Sequence, residues 1–117
     1  MIVHQAFRLE PLDGGPEPAG GLSPAEERYA ARAGSPRGSR AARRLAKRLV
    51  LEWLGREADP ATLEILPRNA TAETDAPSGP PELRLPQGLL PDGLRLHLSL
   101  SHCRSAVAAL VVVERVA

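Results

Sequence analysis

The chain has 117 residues, enough for one domain with a core of modest stability, so self-association is an expected supplement. Fifteen basic and fourteen acidic residues leave a formal charge of +1, which excludes a generally basic nucleic-acid coat and an acidic disordered tail. An apolar fraction of 43% fits a folded globule, and a single cysteine, Cys103, excludes an internal disulfide framework and a multi-cysteine zinc site. No stretch approaches the roughly 20 apolar residues of a membrane helix. The start, MIVHQAFRLE, lacks the basic and apolar regions of a signal peptide, so a cytoplasmic protein that contacts neither membrane nor nucleic acid is expected. All basic residues but Lys47 are arginine, which matches codon bias in a GC-rich bacterium and carries no chemical weight by itself. Charge is uneven: residues 28–56 hold nine basic residues and one acidic one, Glu52, while the remainder is correspondingly acidic.

Residues 2–10 alternate loosely and suit a first strand. Residues 11–21 contain four glycines and three prolines and read as a loop. Ser23-Pro24-Ala25-Glu26 is a helix start, with Ser23 as cap, Pro24 at the first helical position and Glu26 closing a capping box. That helix should stop near Gly34-Ser35-Pro36. A longer helix follows, with Ser39 as the expected cap and Gly55 as its end. Its apolar stripe is Ala41, Ala42, Leu45, Ala46, Leu49, Val50, Trp53 and Leu54. Arg40, Arg43, Arg44 and Lys47 fall on the other side, where a solvated charged face is expected, and Arg48 and Glu52 are spaced for an ion pair within the helix. Short strands are expected at 62–66 and 82–85, with a loop over 67–81. Residues 94–100 alternate strictly, as a half-buried strand does, and 106–113 form a Val-rich run that suits a central strand. The order predicts a single α+β domain over 1–117, with a mostly antiparallel sheet packed on the long helix.

The residues alone carry little chemistry. The glycine pairs at 14–15 and 20–21 lack phosphate-loop context, and His4, His97 and His102 are far apart in sequence. Cys103 beside His102 in a strand is no catalytic pair, because strand neighbours point to opposite faces; Cys103 reads as a small packed thiol. The basic segment could bind phosphates, or simply be a solvated helix face.

Three segments in order do resemble a known family. They are LSPAE at 22–26 with AARRLAKRLVLEWLG at 41–55, then LEIL at 63–66 with SGPPELRL at 78–85, and finally LHLSLSHCRSAVAALVVVE at 96–114. Together they resemble holo-acyl-carrier-protein synthase, of the 4'-phosphopantetheinyl transferase superfamily. The resemblance implies an α+β fold, a homotrimer, and sites between subunits that bind coenzyme A and an acyl carrier protein. It also implies transfer of phosphopantetheine to a carrier serine, assisted by magnesium held by an N-terminal Asp and by a Glu directly after the motif lysine. Here that lysine is Lys47, but Arg48 follows it, Glu52 stands at the second lysine position, and the N-terminal Asp falls near His4.

These departures imply a repurposed member without metal ligands, acting by acid–base catalysis on a small or carrier-bound intermediate of bacterial secondary metabolism, for instance in polyketide synthesis. Isomerisation, cyclisation and dehydration all suit such groups. Candidate catalytic residues are His102, Glu52, His4 and Lys47, with His97 as a further acid–base candidate; candidate ligand-binding residues are Lys47, Arg43, Ser101, His102 and Arg48. Coenzyme A and magnesium are expected only if the ancestral transfer survives, with Glu52 and Glu10 as substitute ligands. A non-catalytic alternative has the basic helix docking on an acidic carrier protein.

Overall fold

The computed structural model describes residues 1–12, 15–70 and 79–116. Strand β1 (Ile2–Pro11) is followed by helices α1 (Pro24–Ala31) and α2 (Pro36–Leu54), then β2 (Glu64–Pro67), β3 (Pro81–Arg84), β4 (Leu94–His102) and β5 (Ala106–Arg115). One antiparallel sheet has the order β1-β5-β4, and β2 and β3 form a separate two-stranded antiparallel sheet. The architecture is α+β, as the pattern predicted.

Alternation decides which face of the large sheet is covered. Val107, Ala109, Val111 and Val113 of β5 point toward α2 and are buried, and Leu96, Leu98 and Leu100 of β4 flank them. Helix α2 answers with Ala42, Leu45, Ala46, Leu49 and Val50, and Leu63 and Ile65 close the core from the β2 side. Gly55 ends α2 in the left-handed conformation (φ 64°), its N–H donating to Leu51 and Glu52 carbonyls.

Helix α2 starts earlier than expected. Ser35 is its cap residue, without a side-chain capping bond, and Ser39 lies buried inside the first turns. Ser39 there serves Arg43, whose Nη1 donates to the Ser39 hydroxyl at 2.7 Å. Pro36 at the first helical position fits this earlier start. The strand expected at 62–66 begins at Glu64, because Pro60–Thr62 forms a 3-10 turn capped by Asp59. Of the loops expected at 11–21 and 67–81, residues 13–14 and 71–78 lie outside the described residues.

One buried ion pair ties the elements together. Ser23 and Glu26 form the expected capping box at the start of α1. The Glu26 carboxylate does more than cap: Oε1 accepts from Lys47 Nζ at 2.5 Å and Oε2 accepts from the Ile65 N–H at 2.9 Å. Lys47 Nζ also donates to the Gly21 carbonyl at 2.8 Å. Both side chains are 0% exposed. Burial pushes the Lys47 ammonium below its ordinary range, while the Glu26 carboxylate acts in the opposite direction. Removing one partner strands a charge in the core. Glu26→Ala is therefore expected to destabilise the fold by roughly 3–5 kcal/mol, read as a shift of the urea midpoint. A double variant with Glu26→Leu and Lys47→Met should recover most of that loss.

Candidate functional site

The basic stripe of α2 is covered, not solvated. Arg37, Arg40, Arg44 and Lys47 recur at spacings of three and four, so they share one helix face. The proline- and glycine-rich segment before α1 lies along that face. Arg37 Nη2 donates to the Gly15 carbonyl, Arg44 Nε to the Gly20 carbonyl, and Lys47 Nζ to the Gly21 carbonyl. Glu17 receives Arg40 through Nε at 2.5 Å and Nη2 at 2.8 Å, and Arg44 through Nη1 at 2.9 Å. Sequence spacing found the stripe; the loop carbonyls that satisfy it carry no signal in a sequence.

Arg43 is also interior. It is buried, with Nε donating to the Ile65 carbonyl at 3.0 Å and its guanidinium carbon 4.7 Å from the centre of the Tyr29 ring. Lys47 and Arg43, two expected ligand-binding residues, thus hold α1, α2 and β2 together. Glu26 was read only as a cap, and its link to Lys47 was missed. The hint was a Glu near the start of one helix and the lone lysine of the next.

Along the seam between β1 and α2, side chains meet in reverse order. His4 stacks on Trp53 with ring centres 5.5 Å apart. Arg8 donates to both Glu52 oxygens, at 3.3 and 3.1 Å. Arg48 donates to both Glu10 oxygens, at 3.2 and 2.5 Å. The Arg48–Glu52 pair expected within the helix does not form, because each finds a bidentate partner on β1 instead.

The remaining candidates lie elsewhere. His102 ends β4 and sits over Gly38 of α2; a Cβ at that glycine would lie 2.5 Å from His102 Nδ1. His4 pairs with Val113 and His102 with Val107, so they are separated by six residues along β5, roughly 20 Å. Within one chain His4 is therefore remote from His102, whereas Arg8, which holds Glu52, pairs with Ala109, two residues from the His102 partner Val107. Ser101 precedes His102 in the strand and belongs to the outer face of the sheet. His97 lies on that outer face too, with Nε2 3.1 Å from Glu114 Oε1.

His102 opens into a cleft of about 750 Å³ at the start of α2, lined in part by Leu12, Arg37, Cys103 and Arg104. Cys103 is exposed there, contrary to the packed thiol expected. A backbone hydrogen bond from Ser105, with further help from the Ser105 hydroxyl, lowers its pKa. Two arginines and a histidine around one cavity suit an anionic ligand. Among the described residues, no group of three or more His, Cys, Asp or Glu is arranged to hold a metal ion.

The α+β fold is that of the holo-acyl-carrier-protein synthases, as comparison with solved structures shows. The chain is similar to holo-[acyl-carrier-protein] synthase of Thermotoga maritima, with 26% identity and a TM-score of 0.74 over 98% of this chain. It spans 65% of the length of that protein. The Mycobacterium tuberculosis acyl carrier protein synthase matches with a TM-score of 0.66 and 21% identity, over 98% of this chain and 99% of its own. A synthase–CoA complex from Chronobacterium ammoniagenes gives 0.66 and 21% over 96% and 98%. No family model and no curated protein sequence matches the chain.

The loop strap has a pH signature. Hydrogen bonds from Arg40, and then Arg44, hold the Glu17 carboxyl at about 2, against an ordinary 4.5. A depressed carboxyl contributes stability that is complete above its unfolded value and is lost as pH falls through the folded one. Stability should therefore drop between pH 4.5 and about 2. In the Glu17→Gln variant, acid titration followed by circular dichroism should show a shallower drop over that window.

Proposed function

We propose that this chain is a phosphopantetheinyl-transferase-fold protein that binds the phosphate end of coenzyme A, or of a carrier-borne phosphopantetheine arm, without magnesium-assisted transfer. The observation that carries this reading is Arg48. It stands where the resemblance expects a magnesium carboxylate, and it holds Glu10 through both oxygens. The other nearby carboxylate, Glu52, is held the same way by Arg8. Magnesium needs oxygen ligands in near-octahedral array, so a donor set already occupied by two guanidinium groups does not fit it.

The cleft supports the binding half of the reading. Arg37 and Arg104 offer positive charge and His102 a ring nitrogen where a phosphate could sit, and Leu12 adds an apolar wall. The printed names of the similar structures, acyl carrier protein synthases and one bound to CoA, give the ligand class. A second reading keeps chemistry at the same cleft. Exposed His102 is an expected catalytic residue that lines this cleft with Arg37 and Arg104, and would act there as general acid or base. Carrier docking through α2 fits less well, since its arginines already hold the loop; exposed Arg28 of α1 is better placed. A cytoplasmic location, where coenzyme A is available, accords with this reading.

The chain's expected partner of its own kind is a second copy seated on the outer sheet face. Phe7 is 66% and Leu9 63% exposed there, and their register partners Leu110 and Ala108 continue the apolar surface. In sedimentation, the wild-type chain should run as an oligomer, three copies by the resemblance, and Phe7→Asp should shift it toward monomer. A monomeric wild type would remove this part.

For the ligand, titration calorimetry should show coenzyme A binding that weakens about tenfold or more in His102→Ala, the loss expected for one charged hydrogen bond. Incubation with coenzyme A, magnesium and apo carrier proteins should add no phosphopantetheine mass to the carrier, while a holo-acyl-carrier-protein synthase does so in parallel. A mass gain would overturn the reading.

A further inference from the structure

The β1–α2 seam is held by charge where a helix on a sheet usually has apolar contacts. Facing α2, β1 presents His4, Arg8 and Glu10 around the small Ala6. Arg8 and Glu10 are two apart on one strand face, and Arg48 and Glu52 are four apart on one helix face. Across the seam Glu10 meets Arg48 and Arg8 meets Glu52. The four charges therefore alternate in sign around a square. Every charge has an opposite neighbour along its own element and another across the gap. The Glu10 carboxylate also acts on Arg8, adding to the larger effect of Glu52 in raising its pKa.

Without the arginines, the same seam would present two carboxylates, one from the strand and one from the helix, with nothing to neutralise them. Such a pair needs a cation. We infer that Arg48 is a built-in cation: its guanidinium takes the place of a divalent ion between β1 and α2 and makes the seam independent of metal. The inference deepens the proposed function, on which it rests for the position of the lost ligand. It adds that the replacement is constructive. A divalent ion entering the seam would have to displace a bidentate guanidinium from Glu10 and remain beside two positive charges, Arg8 and Arg48. Arginine suits the task better than lysine, because its planar fork matches both carboxylate oxygens at once.

A consequence follows for one substitution. Arg48→Glu removes the built-in cation and places a third carboxylate in the seam with Glu10 and Glu52. With Glu52 still held by Arg8, Glu10 and the introduced carboxylate are two donors on two elements, enough for magnesium or manganese with water completing the shell. The replacement should therefore convert a metal-indifferent seam into a metal-dependent one.

The experiment is thermal unfolding of the full chain in EDTA and in increasing magnesium chloride, with sodium chloride added to match ionic strength. For the wild type, the Tm should be the same in both. Arg48→Glu should unfold at a lower temperature in EDTA and recover at least half of its lost Tm as magnesium saturates. Arg48→Ala should lose Tm without that recovery, and adding Glu10→Gln to Arg48→Glu should abolish it. A wild type whose Tm rises with magnesium overturns the inference. So does an Arg48→Glu chain that ignores magnesium or stays unfolded at every concentration. These readouts involve no coenzyme A. Failure to bind coenzyme A would sink the proposed function and leave them intact, whereas magnesium stabilisation of the wild type would sink the inference with coenzyme A binding untouched.

Discussion

The structure turns on a single buried charge pair. Lys47 and Glu26 are wholly removed from solvent, and a charge so placed is tolerable only when every polar atom around it finds a partner. Here each does, and the partners come from separate segments. The Glu26 carboxylate receives the α1 cap backbone, the Ile65 amide of β2 and the Lys47 ammonium of α2. The ammonium adds the Gly21 carbonyl from the preceding loop. Three segments remote in sequence, residues 21–26, Lys47 of α2 and Ile65 of β2, thereby converge on one point. An apolar replacement could match its contribution to stability, yet would not demand one arrangement of those segments. Ser23 extends the network, since its hydroxyl bonds Glu64 Oε2 at 2.7 Å while also capping α1.

Around that point the chain divides its labour between apolar and charged surfaces. The β4 and β5 side of α2 is an ordinary core of Leu, Val, Ile and Ala. The β1 side is a polar seam of stacked rings and crossed ion pairs. The third side is a row of arginines fastened to a loop. A 19-residue helix with only one hydrophobic face is thus partnered on three sides, though the β1 seam stays open to solvent at Arg48 and Glu52. The cleft sits at the start of this helix, between the end of β1, the α1–α2 connection and the β4–β5 turn, and His102, Arg37 and Arg104 all line it.

The sequence made local elements legible and left their partners hidden. Alternation in 94–100 and the valine run at 106–113 mapped directly onto β4 and β5, because a half-buried strand and a central strand leave different periodicities. The capping box at Ser23 and the terminal glycine at 55 are local chemistry, and both stood where expected. Ser39 misled because a serine before an apolar stripe looks like a cap, whereas here it is one turn inside, bonded to Arg43. The charged side of α2 misled more deeply. Periodicity says which residues share a face but not what covers it, so Arg40, Arg44 and Lys47 read as solvated. Likewise, Arg48 and Glu52 were within reach of each other along the helix, and only the strand opposite decides that neither bond is made. His4 and His102 were grouped by chemistry and prove to occupy opposite ends of the sheet.

The loop along α2 has an evolutionary consequence. Three of the side chains that fasten it grip main-chain carbonyls, at Gly15, Gly20 and Gly21, and Glu17 offers a side chain in return. A carbonyl is present whatever residue carries it. Much of the information that fixes the loop is therefore written in the helix, and the loop can drift in sequence outside Glu17 and the two positive-φ glycines, Gly20 and Gly21. Two chains could differ at 15–19 and still lay down the same backbone, with their kinship visible in the arginine row of the helix and in the two glycines, at φ 76° and 83°, that turn the segment toward α1.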